Sequence, residues 1–314
     1  MRVLVVGASG AIGTRIVPQL IERGHEVIGT FKSAGNAERL LALGAEPMAL
    51  DVLDAPAVRK AVLDTQPEGI VHQATALANV RFTRSLDRSF GPTNRIRTEG
   101  TDNLLAAASE AGVRRFVAQS FASYRYARVG GPVKTEEDPL DPDPPAMAGE
   151  TNIAMSHLDR AVTDAGGIAL RYGGFYGADN DGLVKPVRKR QFPVIGEGAG
   201  ISSFIHLDDA AAAAVLALEH DGAGIYNITD DEPAPMSEWL PALAKALGAK
   251  PPRHVPVWLA GLIAGKGMVM MAAGSRGASN AKAKREFGWT LRYPSWREGF
   301  PAAYSQAEPV TAGG

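Results

Sequence analysis

The sequence predicts an α/β fold in which helices cover both faces of a parallel sheet. Apolar, β-branched runs alternate with helical patterns from residue 1 to residue 172, and parallel strands require crossover helices of this kind. The chain begins with one such unit, an apolar strand at Arg2 to Val6, a glycine-rich turn and a helix at Thr14 to Arg23. These observations predict consecutive βαβ units with right-handed crossovers, which build a parallel sheet.

Short apolar runs, several of them preceded by a glycine that ends a helix, mark the other strands. They lie at His25 to Phe31, Glu46 to Leu50, Gly69 to His72, Arg115 to Gln119, Ile168 to Arg171 and Gly224 to Ile228. Helical patterns lie at Asn36 to Leu43, Ala55 to Leu63, Thr98 to Ala111, Thr151 to Ala165, Asp208 to Leu218 and Ser237 to Leu247. For the last two helices, Asp208 or Asp209 and Ser237 are the expected N-caps.

The regular alternation of strands and helices ends after the sixth predicted strand. We therefore expect a first domain at residues 1–172, a mainly separate lobe at 173–307 and a frayed tail at 308–314. Residues 204–228 are predicted to return from the lobe to the core of the first domain. Gly130 to Pro145 is rich in Pro, Asp and Glu, which predicts a surface loop.

The composition is that of a globular protein with little charge bias. The 314 residues carry a formal net charge of −1, so we expect no nucleic-acid partner. There is no cysteine, which excludes thiol catalysis and disulfides, and no basic region precedes an apolar signal core, so a cytoplasmic location is expected. The six histidines are scattered without zinc-ligand spacing, and no metal site is predicted.

The most apolar stretch of the chain runs from Val255 to Ala273. Gly261, Gly265, Lys266 and Gly267 interrupt it, so it is too broken to cross about 30 Å of hydrocarbon, and no membrane partner is expected. One or two buried helices are predicted here, with a partner-contact surface as the alternative.

Gly7, Gly10 and Gly13 form a G-x-x-G-x-x-G turn between the first strand and the first helix. A first glycine permits a tight turn, a second lets the backbone approach a pyrophosphate, and a third lets the helix pack on the strand. The helix N-terminus adds free N–H groups and a positive dipole end. The turn therefore predicts a dinucleotide site, with an ordinary glycine-rich turn as the alternative.

Several segments in a fixed order resemble the extended short-chain dehydrogenase/reductase superfamily, in its NAD-dependent epimerase/dehydratase branch. The segments are GASGAIG (residues 7–13), VHQATAL (71–77), RTEGTDNLLAAASEAGVRRFVAQS (97–120), LRYGGFYG (170–177), FIHLDDAAAA (204–213), GIYNITDDEPAP (224–235) and FGWTLRYPSWREGF (287–300). The resemblance covers residue 1 to about residue 300. It implies a Rossmann-type, doubly wound parallel sheet with a small C-terminal substrate-binding lobe. It also implies a cleft at the carboxyl ends of the strands.

The resemblance also implies a set of residues that contact a nicotinamide dinucleotide. Asp51 matches the acidic residue that meets the adenine. The full expected set is Gly7, Ser9, Gly10, Ala11, Ile12, Gly13, Lys32, Asp51, Val52, Gln73, Ala74, Thr75, Gln119, Tyr172, Gly174 and Phe175.

The end of the second strand indicates which nicotinamide cofactor is bound. An NAD site usually has Asp or Glu about 20 residues after the glycine turn, where it binds the ribose hydroxyls. Here Thr30, Phe31 and Lys32 stand instead. The absence of a carboxylate removes repulsion against a 2′-phosphate and a lysine attracts it, so NADP is preferred and NAD remains an alternative. Lys32 as a solvated surface residue is the simpler interpretation.

Members of this family carry Tyr-x-x-x-Lys on the helix before the sixth strand, and no such pair occurs in this sequence. In the family, the lysine lowers the pKa of the tyrosine, which then acts as acid or base near neutral pH. Aligning the helix places Thr151 and Met155 at the two positions, and neither side chain can replace the pair.

Other residues that could supply a proton are Ser120, at the end of the fifth strand, and Tyr124 and Tyr126 just after it. Ser120 could orient a carbonyl or bind the backbone, and the tyrosines could be packing residues. His206 is expected to be structural. The basic residues Lys185, Arg188, Lys189 and Arg190 either cover a substrate diphosphate or form a solvated helix face.

The leading functional hypothesis is an NADP(H)-dependent oxidoreductase that transfers a hydride to or from a small carbonyl or alcohol substrate. A sugar-nucleotide epimerase or dehydratase is one alternative, and a non-catalytic NADP-binding sensor or regulator is another. The family resemblance suggests a homodimer.

Overall fold

A computed structural model of the chain describes residues 1–77, 85–122, 125–177 and 182–305. Its strands are β1 (Arg2–Val6), β2 (Glu26–Phe31), β3 (Glu46–Ala49), β4 (Gly69–His72), β5 (Arg115–Phe121), β6 (Val133–Lys134), β7 (Ile168–Tyr172), β8 (Gly174–Tyr176), β9 (Val194–Ile195), β10 (Ile201–Ser202), β11 (Phe204–His206), β12 (Gly224–Ile228), β13 (Ala234–Pro235), β14 (His254–Val255) and β15 (Gly277–Ala278). Its α-helices are α1 (Gly13–Glu22), α2 (Ala37–Ala42), α3 (Ala55–Thr65), α4 (Leu86–Arg95), α5 (Thr101–Ala111), α6 (Gly149–Asp164), α7 (Val184–Arg188), α8 (Leu207–Glu219), α9 (Met236–Ala246), α10 (Val257–Ala264), α11 (Lys266–Gly274), α12 (Ala281–Phe287) and α13 (Trp296–Tyr304).

Within the described residues, seven parallel strands form the central sheet in the order β12-β7-β5-β4-β1-β2-β3. The alternating side chains of β1 explain why this strand is apolar throughout. Val3 and Val5 join the core on the face that α1, α8 and α12 cover, whereas Leu4 and Val6 join the core under α3, α5 and α6. The predicted doubly wound parallel sheet is confirmed.

The stretch before β5 is more helical than its sequence pattern predicts. Helix is predicted from Thr98, but α4 begins at Leu86, passes through a π-helical turn at Ile96–Gly100 and continues as α5. Gly91 and Pro92 inside α4 are helix breakers by local propensity. Burial of Thr93 and Asn94 against the core overrides that propensity.

The expected N-caps of α8 and α9 are wrong. His206, rather than an aspartate, caps α8, because its Nδ1 accepts a hydrogen bond from the N–H of Asp208 at 3.2 Å. Asp209 instead accepts backbone N–H bonds from Arg292 (2.7 Å) and Tyr293 (3.0 Å), which ties the C-terminal segment to this helix. Ser237 lies inside the first turn of α9, which begins at Met236.

The C-terminal lobe has a core of its own, built from aromatic and aliphatic side chains of β8, β11, α9 and α13. Gly224–Ile228 pairs in parallel with β7 at the edge of the central sheet. The stretch at 255–273 forms two helices, but α10 is not buried. Trp258, Leu262 and Ile263 are 67, 75 and 60% exposed. No helix among the described residues is long and apolar enough to cross a membrane.

Candidate functional site: a nucleotide cradle and a buried ionic cluster

The glycine turn after β1 has no room for side chains at two of its three glycines. Gly7 has φ +84°, and a Cβ there would lie 2.8 Å from Ala74 Cα. A Cβ on Gly13 would lie 2.4 Å from the carbonyl oxygen of Gly7, whereas one on Gly10 would lie 3.2 Å from it. The turn is therefore folded tightly over the end of β4, and its geometry fits a dinucleotide cradle at the N-terminus of α1.

Thr30 holds this turn from the end of β2. Its buried Oγ1 accepts a hydrogen bond from the N–H of Gly7 at 3.0 Å. Its role in the cradle was not predicted, and no local signal could have revealed it, since the two residues meet only in the folded sheet.

Lys32 and Asp51 form an ion pair at the edge of the cradle. Lys32 Nζ lies 2.6 Å from Asp51 Oδ2, and both side chains are open to solvent. The hydrogen bond from Lys32 lowers the pKa of Asp51, which works against the smaller effect of burial. Val52 lines the same corner, where its carbonyl accepts a bond from Asn103 Nδ2 at 2.9 Å.

The segment after β4 lies between the cradle and β7. The N–H of Gln73 continues the strand pairing by binding Val6 O at 2.8 Å, and its Nε2 lies 3.4 Å from the hydroxyl of Tyr172. Gln73 Oε1 is buried and has no partner within the described residues. Such an atom at the carboxyl end of a strand fits a site that a ligand completes. The ring of Tyr172 packs on Phe175 with centroids 5.1 Å apart.

Ser120 lies inside the protein, at the end of β5. Only 1% of the residue is exposed, and Arg125 Nη1 donates to its Oγ at 3.2 Å. The hydroxyl is thus engaged in the core as an acceptor, next to the buried guanidinium of Arg125.

Asp159 of α6 lies between two buried arginines. Its Oδ2 is 3.0 Å from Arg125 Nη1 and 2.8 Å from Arg171 Nη2. Burial alone would raise the pKa of Asp159, but the charges of Arg125 and Arg171 work against it and the pKa is lowered. The three charged groups form an ionic cluster beneath the end of β5.

Tyr126 joins this ionic cluster rather than the cleft. Its hydroxyl donates to Asn227 Oδ1 at 2.7 Å and accepts from Arg171 Nη1 at 3.3 Å. Burial raises the pKa of Tyr126, and this outweighs the opposite effect of Arg171. Tyr124 lies outside the described residues.

Thr151 and Met155 lie on one face of α6 and are fully buried. Thr151 Oγ1 donates to Asp87 Oδ1 at 2.8 Å and accepts from Asn94 Nδ2 at 3.1 Å. Neither side chain titrates in the accessible pH range.

His206 packs between two aromatic rings, with centroids 5.2 Å from Tyr176 and 4.2 Å from Tyr293. With its capping bond to α8, this contact makes it a structural residue of the lobe. Among the described residues, no group of three His, Asp or Glu side chains could hold a metal ion.

Comparison with known proteins identifies the class. A profile of the NAD dependent epimerase/dehydratase family matches residues 3–229, and the chain belongs to this family. It is 42% identical over 307 residues to a 3-diazoavenalumate denitrifying reductase of Streptomyces sp., covering 95% of this chain and 99% of the relative. The solved UDP-glucose 4-epimerase of Thermotoga maritima with UDP-glucose superimposes with a TM-score of 0.77 at 23% identity, over 96% of this chain and 97% of that one. A human epimerase family protein with NADPH gives a TM-score of 0.74 at 18% identity, over 98% and 100%.

The chain is an NAD(P)-dependent oxidoreductase of the short-chain dehydrogenase/reductase type. The family match and the reductase relative agree with the cradle, which fits a nicotinamide dinucleotide. The fold also agrees with the sugar-nucleotide epimerase alternative, but it does not favour an epimerase over an oxidoreductase. The expected homodimer stays a prediction.

Proposed function

We propose that this oxidoreductase uses NADPH to reduce a small organic diazonium compound, a reaction that needs no proton from the protein. The observation that carries this proposal is that the described side chains predicted to act as proton donors are already hydrogen-bonded inside the protein. The Ser120 hydroxyl accepts from the buried Arg125, the Tyr126 hydroxyl donates to Asn227, and the side chains of Thr151 and Met155 have no titratable group.

Carbonyl reduction and diazonium reduction differ in whether the protein must supply a proton. A carbonyl oxygen that receives two electrons becomes an alkoxide, which a general acid must protonate. When bound, the reduced nicotinamide supplies a hydride that forms a carbon–hydrogen bond at the diazonium carbon, while the carbon–nitrogen bond breaks and its electron pair leaves with N₂. No oxyanion develops at that carbon, so the chain only has to hold and orient its ligands. The name of the 42% identical relative, a denitrifying reductase of a diazo compound, supports this substrate class.

We assign the NADP preference to the end of β2. Thr30 uses its hydroxyl to hold the glycine turn, and no carboxylate stands there to repel a 2′-phosphate. Lys32 supplies the cation and is paired with Asp51. Lys32→Glu is expected to weaken NADPH binding at least tenfold and NADH binding less than threefold, by the removal and reversal of one charge. Lys60→Glu, on the exposed face of α3, is the control, and equal losses for both cofactors in Lys32→Glu would contradict the assignment.

The substrate assignment is tested with the full chain and NADPH. A ¹⁵N-labelled diazo carboxylate such as 3-diazoavenalumate is compared with a panel of aldehydes, ketones and quinones. The proposal expects labelled N₂ and oxidised cofactor in equal amounts, and little turnover on the panel. Turnover on a carbonyl substrate that Tyr124→Phe abolishes would overturn it and would identify Tyr124 as the acid.

A further inference from the structure

The α10 surface, defined as the exposed side chains of Val257, Trp258, Leu262 and Ile263, is unlike the rest of the molecule's exterior. These four residues make up half of the large apolar side chains that the described residues expose. An apolar cluster of this kind on a folded protein marks a contact site.

The sequence around α10 contains cationic residues but no acidic ones, although the whole protein has a net charge of −1. Residues 239–285 contain no aspartate or glutamate. Four cationic residues of this range, Lys245, Lys250, Arg253 and Lys266, flank α10 in sequence. Those on α12 do not contribute to this surface, because Lys284 pairs with Asp231 and Arg285 with Glu286.

The fold brings a second basic segment to the same place. β14, which leads into α10, pairs with β9, and Arg190 Nε donates to Pro251 O at 3.0 Å. This contact joins the α7 segment, with exposed Arg188 and Lys189, to the segment that carries exposed Lys250 and Arg253. One exposed acid, Glu197, follows β9. The α10 surface therefore has a predominantly cationic border on the side where α10 begins.

We propose that the α10 surface rests on an anionic phospholipid bilayer, with the cations at the headgroups and the apolar side chains in the interface. Apolar side chains that include tryptophan, bordered by lysine and arginine, are the composition of peripheral membrane contacts. The contact does not require a spanning segment, so it agrees with the absence of such a helix among the described residues.

Charge argues against a second copy of this chain as the occupant. A two-fold interface would place the same surface of both copies face to face, and that surface offers few acids to pair with its cations, because residues 239–285 contain none. An anionic bilayer complements the border.

Trp258 makes the proposal directly measurable. Trp239, Trp289 and Trp296 are buried, so a change of tryptophan emission reports on Trp258. The full chain is mixed with vesicles of phosphatidylcholine alone or with 30 mol% phosphatidylglycerol, and binding is followed by sedimentation and emission. We expect binding to the anionic vesicles only, a blue shift, and release at high salt.

Variants locate the contact. Leu262→Gln with Ile263→Gln should weaken binding about tenfold or more, and Lys250→Glu with Arg253→Glu should weaken it at least about 25-fold, at about fivefold for each cation lost. Trp258→Phe should keep sedimentation and lose the emission shift. Leu41→Gln and Lys60→Glu, exposed on α2 and α3, are the matched controls. Unaltered emission without sedimentation, equal effects of the controls, or self-association that Leu262→Gln abolishes would overturn the proposal.

Discussion

The glycine turn after β1 and the corner between β5 and α6 both lie at the carboxyl edge of the same sheet, yet they are built for different tasks. At the turn, backbone approaches backbone so closely that Gly7 and Gly13 leave no space for a Cβ, and the nearby Gln73 Oε1 is buried without a partner among the described residues. At the corner, Ser120 accepts from the buried Arg125, and the Tyr126 hydroxyl is bonded to Arg171 and Asn227.

The difference shows that the two regions rest on different physical features. A nucleotide cradle depends on backbone geometry, which any sequence with the right glycines provides. A proton donor depends on one side chain pointing at the substrate. Here the corner is stabilised by buried charge, and hydride transfer is the chemistry that the remaining site supports.

The largest expected effect concerns the corner. Asp159→Asn leaves Arg125 and Arg171 without their buried counter-charge and should lower the free energy of unfolding by about 3–5 kcal/mol. Asp164→Asn, exposed on the same helix, should change it by less than about 0.5 kcal/mol. Urea unfolding monitored by circular dichroism measures both, and equal stability of the two variants would show that the ionic cluster is not structural.

The two regions should also respond to acid in different pH ranges. Burial lowers the pKa of His72, at the end of β4, to about 4, although a hydrogen bond to the Ile96 carbonyl works to raise it. Between about pH 6.5 and 4 only the unfolded chain binds this proton, so stability should fall by about 3 kcal/mol as the pH decreases through that range. Asp159 has a lowered pKa in the folded chain, so its contribution is present above about pH 4 and is lost below it.

Unfolding free energies measured from pH 7 to pH 3 for the native chain, His72→Asn and Asp159→Asn separate the two groups. The first variant should have the flatter profile above pH 4 and the second below it. If the unfolding free energy of His72→Asn depends on pH in the same way as that of the native chain, His72 is not the group responsible for the loss of stability above pH 4.

Gly13→Ala tests the cradle. The new Cβ would lie 2.4 Å from Gly7 O and 2.6 Å from Ala8 Cα, so the turn must open, and NADPH affinity should fall about 100-fold, or about 2.7 kcal/mol. Gly261→Ala in α10 meets no atom within 4 Å and is the control, which should keep affinity and gain about 0.5–1 kcal/mol of stability. Calorimetric titration gives the affinities, and unchanged binding by Gly13→Ala would place the nucleotide elsewhere.

The smallest effects are expected at the hydroxyls of the corner. Ser120→Ala and Tyr126→Phe should each keep kcat within about threefold and lose about 1 kcal/mol of stability, because only core hydrogen bonds are removed. A fall of kcat by about 100-fold or more in either variant is the loss typical of a general acid. It would identify the substituted residue as the general acid.

Strands and turns that are specified by neighbouring residues can be predicted from the sequence, whereas contacts between distant residues cannot. The β1 strand follows from its apolar run, and the structure confirms the parallel sheet to which it belongs. The tight turn at Gly7 and the strand at Gly224–Ile228 likewise coincide with a glycine pattern and an apolar run. The hydroxyl orientation of Tyr126 depends on Asn227, 101 residues away, and no local pattern encodes it.

Two predictions fail for related physical reasons. The α10 segment is apolar on all sides, so its periodicity does not indicate which side packs against the core. The prediction that this helix is buried is wrong. Asp208 and Asp209 are good N-caps by residue type, but β11 ends one residue before α8 and delivers the His206 ring to that position first.

The solvent deuterium isotope effect on hydride transfer in a single turnover tests the central claim most directly. With the diazo substrate, saturating NADPH and either H₂O or D₂O, the account predicts equal rates and a slower rate when the transferred hydrogen of the cofactor is deuterium. A rate that falls in D₂O together with a bell-shaped pH profile would show that the protein delivers a proton in the same step, and would contradict the account.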